Sequence, residues 1–282
     1  MRHTLTRFSL LVIIICSFSA HAFGQLQLVP TTIILDQSGV GSIIIINTSE
    51  EAREISITSE FRYNVSDDSG RSVQAESFDE LKEYDMTDNV LIFPQRFILD
   101  GGARRDVRVQ HRVSSSTVEG GHFSRFIVRS EPVAQDVEEE SEADAISIQL
   151  NYIFVQDIPM YHFYGNTTTG IKIKDVELLP FEDDTSRYSF VFDMDKLGNS
   201  PYRGSADVTI TNNEGEVVDQ RNVQVGLFTD RKVSISMDKS NLVEGETYKA
   251  NFIFQTKRRT SAPSDLVQAP DVIYEEEFSI EQ

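Results

Sequence analysis

The sequence predicts an all-β protein built as two β-sandwiches. Short apolar or alternating segments recur along almost the whole chain, with turns rich in Gly, Asn, Asp and Ser between them. No long segment repeats with a helical period, and regularly spaced short strands are the signature of sandwiches. The one helix-like stretch, Phe78–Tyr84 (FDELKEY), is short and reads as a loop or a single turn.

The chain opens with Arg2, His3 and Arg7, followed by an apolar core, Phe8–Ser19, too short to span a bilayer. Ala20-His21-Ala22 then forms a small-x-small cleavage site. Residues 1–22 are therefore expected to be a secretory signal peptide cleaved near Ala22, which places the mature product in an exported compartment. Ile13-Ile14-Ile15-Cys16 lacks the small residue that a lipoprotein site needs before its Cys. Cys16 is the only cysteine, so the mature chain must hold together by core burial and not by disulfides.

The strands follow in order. Leu26–Leu35 is apolar and β-branched, Gln37–Gly41 turns it, and Ser42–Asn47 (SIIIIN) is fully apolar. Arg53–Arg62 alternates after the turn Asn47–Glu51, and Ser66–Arg71 turns again. Leu91–Leu99 precedes Asp100-Gly101-Gly102, Asp106–Val113 alternates, and His122–Val128 follows Gly120-Gly121. An acidic segment, Gln135–Asp144, leads into Ala145–Tyr164 (AISIQLNYIFVQDIPMYHFY). There Ile146, Ile148, Leu150, Tyr152 and Phe154 share one face by their period of two. Ile158-Pro159 interrupts the run, because proline has no backbone N–H; it should mark an edge, a bulge or the strand's end. Gly165–Gly170 (GNTTTG) reads as a hinge between domains 23–164 and 171–282. Beyond it come Ile171–Leu179, Tyr188–Asp193, Ala206–Asn212, Glu216–Asp219, Lys232–Met237, Tyr248–Gln255 and Val272–Ile280, with a hairpin turn at Asn212–Gly215.

The formal charge is −19; without Arg2 and Arg7, 24 basic residues face 45 acidic ones, or −21. Such a chain is repelled by nucleic acid and by anionic membrane surfaces, so no nucleic-acid partner is expected; the charge serves solubility and favours partners with basic patches. No later stretch is apolar enough to insert in a membrane.

The order of these segments resembles the periplasmic chaperones of pilus assembly. Leu28–Leu35 with Gly39, Ser42–Asn47 with Thr48-Ser49, and Phe93–Leu99 with Gly101 are similar to that family's early strands. Glu119–Val128 followed by Ala145–Tyr164 looks like its paired final strands of the first domain. Asn199–Gly204 with Gly215 is similar to its second-domain strand and turn. The resemblance implies two immunoglobulin-like domains set at an angle and a periplasmic location. It also implies a client, an immature pilin-like subunit that is held by a lent strand. The inserted side chains would be Ile146, Ile148, Leu150, Tyr152 and Phe154. A fully buried apolar side chain contributes roughly 1.5–3 kcal/mol, so five would hold a subunit even after ordering costs. Implied partners are pilin-like surface subunits and an outer-membrane usher, with no cofactor and no ATP. The alternative is a structural or interaction component of a surface-assembly or secretion apparatus. In the family, two basic residues bind the subunit's terminal carboxylate. Here Thr32 and Pro159 stand at the matching positions, and Arg96, Arg125, Lys172 and Lys174 are the candidate substitutes.

Catalysis has little support. No nucleophile elbow or phosphate loop is present, and His111, His122 and His162 lack metal-ligand spacing, so no catalytic residue and no metal site is expected. Asp183-Asp184 and Asp193-x-Asp195 lack the closing glutamate of a calcium loop. Asn47-Thr48-Ser49, Asn64-Val65-Ser66 and Asn166-Thr167-Thr168 match the glycosylation pattern but read as turns. Lys257-Arg258-Arg259 is a basic cluster in an acidic chain: a charged loop tip, or a contact for an acidic partner. Glu138–Glu142 reads as a solvated charge run that also keeps a free strand from self-association.

Overall fold

The computed structural model describes residues 26–133, 152–180 and 186–280. The first sandwich begins with β1 (Leu26–Val29) and β2 (Ile33–Leu35), which belong to different sheets. The single expected segment Leu26–Leu35 thus divides at Pro30, which cannot donate to a ladder. Next come β3 (Val40–Asn47), β4 (Arg53–Glu60) and a small ribbon of β5 (Asn64–Ser66) with β6 (Ser72–Gln74). Leu91–Leu99 likewise divides at Pro94, into β7 (Val90–Phe93) and β8 (Arg96–Leu99), again in different sheets. Then follow β9 (Arg104–His111), β10 (Gly120–Pro132) and β11 (Phe154–Tyr164). One sheet has the order β1-β3-β9-β7 and the other β2-β11-β10-β4-β8. Asp79–Tyr84 is a short 3-10 turn, as the Phe78–Tyr84 pattern suggested.

Alternation explains the first core. Ile43 and Ile45 of β3, Ile55 and Ile57 of β4, Val107 and Val109 of β9, and Phe126 and Val128 of β10 point inward at every second position. Asn47 ends β3 and is fully buried. Its Nδ2 donates to the carbonyls of Glu51, Leu99 and Asp100 at 2.7, 2.9 and 3.1 Å. It is a turn organiser and not an exposed glycan acceptor.

The second sandwich starts with β12 (Gly170–Pro180) and β13 (Arg187–Leu197), then β14 (Tyr202–Thr211) and β15 (Val217–Leu227). It ends with β16 (Arg231–Asp238), β17 (Thr247–Gln255) and β18 (Val272–Ser279). Its sheets are β12-β13-β16 and β15-β14-β17-β18, around an aromatic core that includes Phe190, Phe192, Phe252, Phe254 and Phe278. The short Glu216–Asp219 expectation is the start of an 11-residue strand whose polar outward face hides its length. Gly215, at φ +81°, closes the expected β14–β15 hairpin turn. Among the described residues, no helix is long and apolar enough to cross a membrane.

The two sandwiches meet through an aromatic cluster. Phe228 of the second packs at 4.6 Å from Phe123 and 5.8 Å from Tyr63 of the first, ring centre to ring centre. Backbone groups join them too: Gly121 N donates to Asn199 O at 3.0 Å, and Ser234 N to Gly70 O at 3.2 Å.

Candidate functional site

β11 is one strand with two kinds of edge. On one side it pairs with β10 along its whole length, from Ser130↔Phe154 to Gly120↔Tyr164. On the other side β2 pairs with it in parallel, only at Met160, Tyr161 and His162. From Phe154 to Pro159 that outer edge has no strand partner among the described residues. This edge amounts to about 20 Å of N–H and C=O groups that no described strand pairs with. Pro159 does not break the strand. It sits opposite Arg125 inside the ladder, where the unpaired edge meets the β2-paired segment.

The open edge faces a gap in the sandwich. Because the chain leaves β1 at Pro30 and joins the other sheet only at Ile33, the two sheets part along this side. A cleft of about 650 Å³ remains, lined by Leu26, Gln27, Leu28, Thr31, Thr48 and Val155–Ile158. Gln156 spans the gap through Nε2, which donates to Leu26 O at 3.3 Å.

Side chains along β11 alternate. Ile158, Met160 and His162 face the domain's interior and are buried. Phe154 and Tyr152 continue the same parity beyond the core, with 37% and 60% of their surface exposed and their rings 6.4 Å apart. Ile153 and Val155, on the other face, are also exposed. Arg53, itself buried, secures the start of the strand. Its Nη2 donates to Tyr152 O at 2.8 Å, its Nε donates to Ser130 Oγ at 3.1 Å, and its guanidinium carbon lies 5.9 Å from the Phe154 ring. Of the five side chains expected on the lent face, Tyr152 and Phe154 are thus exposed at the mouth of the seam. Ile146, Ile148 and Leu150 lie outside the described residues, as does the acidic segment.

The expected substitute anchors do not share a site. Arg125 lies on β10 opposite Pro159, but its Nε and Nη2 donate to both oxygens of Asp157 at 3.1 and 3.0 Å. That bidentate bond, with Arg62 at 4.0 Å adding charge, holds the Asp157 carboxyl below its usual range. Arg96 stands on β8, at the opposite edge of the sheet, 3.7 Å from Glu54. Lys174 is held by Asp193 and Asp195 at 3.1 and 2.9 Å, so this carboxylate pair serves a lysine. Lys172 is exposed on β12 of the second sandwich. Thr32 is half-buried at the sheet crossing between β1 and β2.

The histidines, far apart in sequence, come together. Register places His122 opposite His162, and His111 enters from the other sheet; its ring lies 5.2 Å from His122 and 5.1 Å from His162. His111 Nδ1 and His162 Nδ1 are 2.8 Å apart and share one proton as a hydrogen bond. Burial is the main cause that lowers all three pKa values, that of His111 to about 4. Neutral rings packed at the inner end of β11 suit structure better than proton transfer. Among the described residues no group of His, Cys, Asp or Glu is arranged to hold a metal ion.

No family model matches the chain, and no curated protein matches it in sequence. In shape it is similar to solved structures of chaperones. For the Escherichia coli chaperone DraB the identity is 14%, 91% of this chain and 95% of that chain are covered, and the TM-score is 0.40. For the class 5 fimbriae chaperone CfaA the values are 13%, 89% and 98%, and 0.39. A chain in the complex of the Salmonella enterica SafA pilin with the SafB chaperone gives 9%, 90% and 98%, and 0.40.

Proposed function

We propose that this protein is a periplasmic chaperone that holds pilin-like surface subunits by strand addition. One observation carries the reading: among the described residues the Phe154–Pro159 edge of β11 is unpaired, and it opens on a gap between the two sheets. An extended segment that pairs with this edge gains main-chain hydrogen bonds for affinity, while alternate side chains give specificity. Tyr152 and Phe154, and before them Leu150, Ile148 and Ile146, supply the apolar face that enters the subunit's groove. Neither metal nor nucleotide is needed, because the energy comes from burial and pairing. Residues 1–22 direct export and are removed, and an outer-membrane usher is the site of subunit release.

The test is co-purification of candidate subunits with the wild-type chain and with Tyr152→Asp/Phe154→Asp. Both side chains are exposed, so the variant should keep its far-UV spectrum and unfolding midpoint. Subunit capture is expected to fall by about tenfold or more, as two apolar anchors become charged. Undiminished capture by a folded double variant contradicts strand addition at this edge.

A further inference from the structure

The second sandwich also has an unpaired edge, and the sequence of that edge is complementary to itself. β12 is the outer strand of the sheet β12-β13-β16, and no described strand pairs with its far side. It borders a groove of about 470 Å³, lined by residues 171–176 of β12 and by Val272, Ile273 and Tyr274 of β18. The neighbouring edges are protected. β18, across the groove, carries Glu275, Glu276 and Glu277 in succession, which repel a second copy of the same strand. β16 is met by the first sandwich, where Ser234 N donates to Gly70 O at 3.2 Å and Lys232 N to Ser66 Oγ at 2.9 Å. β12 has neither protection. Its charged residues Lys172, Lys174, Asp175 and Glu177 cancel, in a chain whose net charge is −19.

The order of these residues matters. Ile171-Lys172-Ile173-Lys174 is followed by Asp175-Val176-Glu177-Leu178, so apolar and basic positions are answered by acidic and apolar ones in mirror order. In a regular strand Lys172 and Glu177 would point to opposite faces. β12 is not regular. Its register against β13 slips between Ile173 and Asp175, which makes Lys174 an extra, bulged residue. Past the bulge the parity changes. Ile171, Ile173, Val176 and Leu178 all pack toward the core, while Lys172 and Glu177 are both exposed on the other face.

We propose that this edge pairs with the same edge of a second copy of the chain, antiparallel, about a two-fold axis at Asp175. Lys172 of each copy then stands opposite Glu177 of the other, Ile173 opposite Val176, and Ile171 opposite Leu178. Two three-stranded sheets become one continuous sheet. At the axis the two Asp175 carboxylates are balanced by the two bulged Lys174 side chains. The partner's apolar row closes the groove, where Ile273 has 62% of its surface exposed. A contact with such an axis uses the same patch on both copies and closes on itself, so association stops at a dimer. β11 belongs to the other sandwich, and the inference does not rest on the chaperone reading.

The test is sedimentation equilibrium of the protein purified after export, over a range of concentrations. A reversible dimer with a micromolar-range Kd is expected, since one paired edge buries less than a standard interface. Lys172→Glu sets like charges opposite each other twice and should weaken the dimer about tenfold, as should Glu177→Lys. Lys172→Glu/Glu177→Lys exchanges the two signs and should restore wild-type dimerisation, a rescue that requires the two residues to face each other. Both side chains are exposed, so these variants should keep the wild-type unfolding midpoint. Beyond Cys16 the chain has no cysteine, so an introduced one reports position. Asp175→Cys, on the axis, should cross-link to its own copy under mild oxidation. Lys172→Cys should not, because the two copies of residue 172 lie roughly 14 Å apart along the ladder. A monomer up to about millimolar concentration, a dimer indifferent to Lys172→Glu, or a double variant that fails to recover overturns the proposal. So does a dimer lost in Tyr152→Asp/Phe154→Asp and kept in Lys172→Glu, which would put self-pairing at β11. Subunit capture is read separately, so failure here and failure of strand addition at β11 are distinguishable.

Discussion

The two halves of β11 share one backbone and one pairing partner, yet they meet opposite environments. From Met160 to His162 the strand is paired on both edges and buried on both faces. From Phe154 to Pro159 it is paired on one edge among the described residues, and its first two residues expose large apolar side chains. The inner half anchors the strand to its own domain. The outer half keeps the same period and parity, but before Ile158 it runs past the core. A strand meant for lending needs both: a fixed root, and a stretch whose hydrogen bonds and apolar face are left for another chain.

That contrast can be broken most severely at the root. Met160 is fully buried in the first core, so Met160→Ala should cost about 2–5 kcal/mol in urea unfolding, whereas Val155→Ala on the outer half should cost under about 0.5 kcal/mol. Similar losses at the two sites would mean that the halves are not distinct.

Acid between about pH 6.5 and 4 provides a second lever, centred on the root. His111 is pushed down to about 4 by burial, with the charges of His122 and His162 adding to it. Its unfolded value is near 6.5, so between about pH 6.5 and 4 the unfolded chain binds more protons than the folded one. The stabilisation is complete above pH 6.5 and is lost as pH falls toward 4, on the order of 3 kcal/mol from His111 alone. Asp36, facing His162, and Glu83, facing His122, moderate the shift for those two rings. His111→Gln should flatten this part of the stability–pH curve; an unchanged slope would contradict a buried neutral cluster.

Arg53 links the halves to the sheet beneath. Arg53→Ala removes charge-assisted bonds to Ser130 and to Tyr152 O, and should cost about 1.5–3 kcal/mol. It should also speed amide exchange near Tyr152 and Phe154 while leaving Met160–His162 protected. Uniform loss of protection along β11 would show that the root depends on the same arginine.

Much of the fold is legible because alternation and Gly turns act locally: the hairpin at Asn212–Gly215 and the inward residues of β4 and β9 follow from neighbours in sequence. Four features are not legible, since distant pairing makes them. Pro30 and Pro94 send single apolar runs into two sheets, which composition cannot show. The histidine cluster exists because β10–β11 register sets His122 against His162 and the second sheet supplies His111. Lys172 and Glu177 come to share one face only because β12 bulges where it pairs with β13. At the seam, the apolar face at Tyr152 and Phe154 is visible in the sequence. The open edge beside it is not, because it depends on how short β2 is.

The most direct measurement is residue-resolved amide exchange on β11, with the protein free and then bound to a subunit. Strand addition predicts fast exchange at alternate amides between Phe154 and Ile158 in the free protein, strong protection of the same amides in the complex, and no change at Met160–His162. Protection of the outer half in the free protein, or no gain on binding, would contradict it.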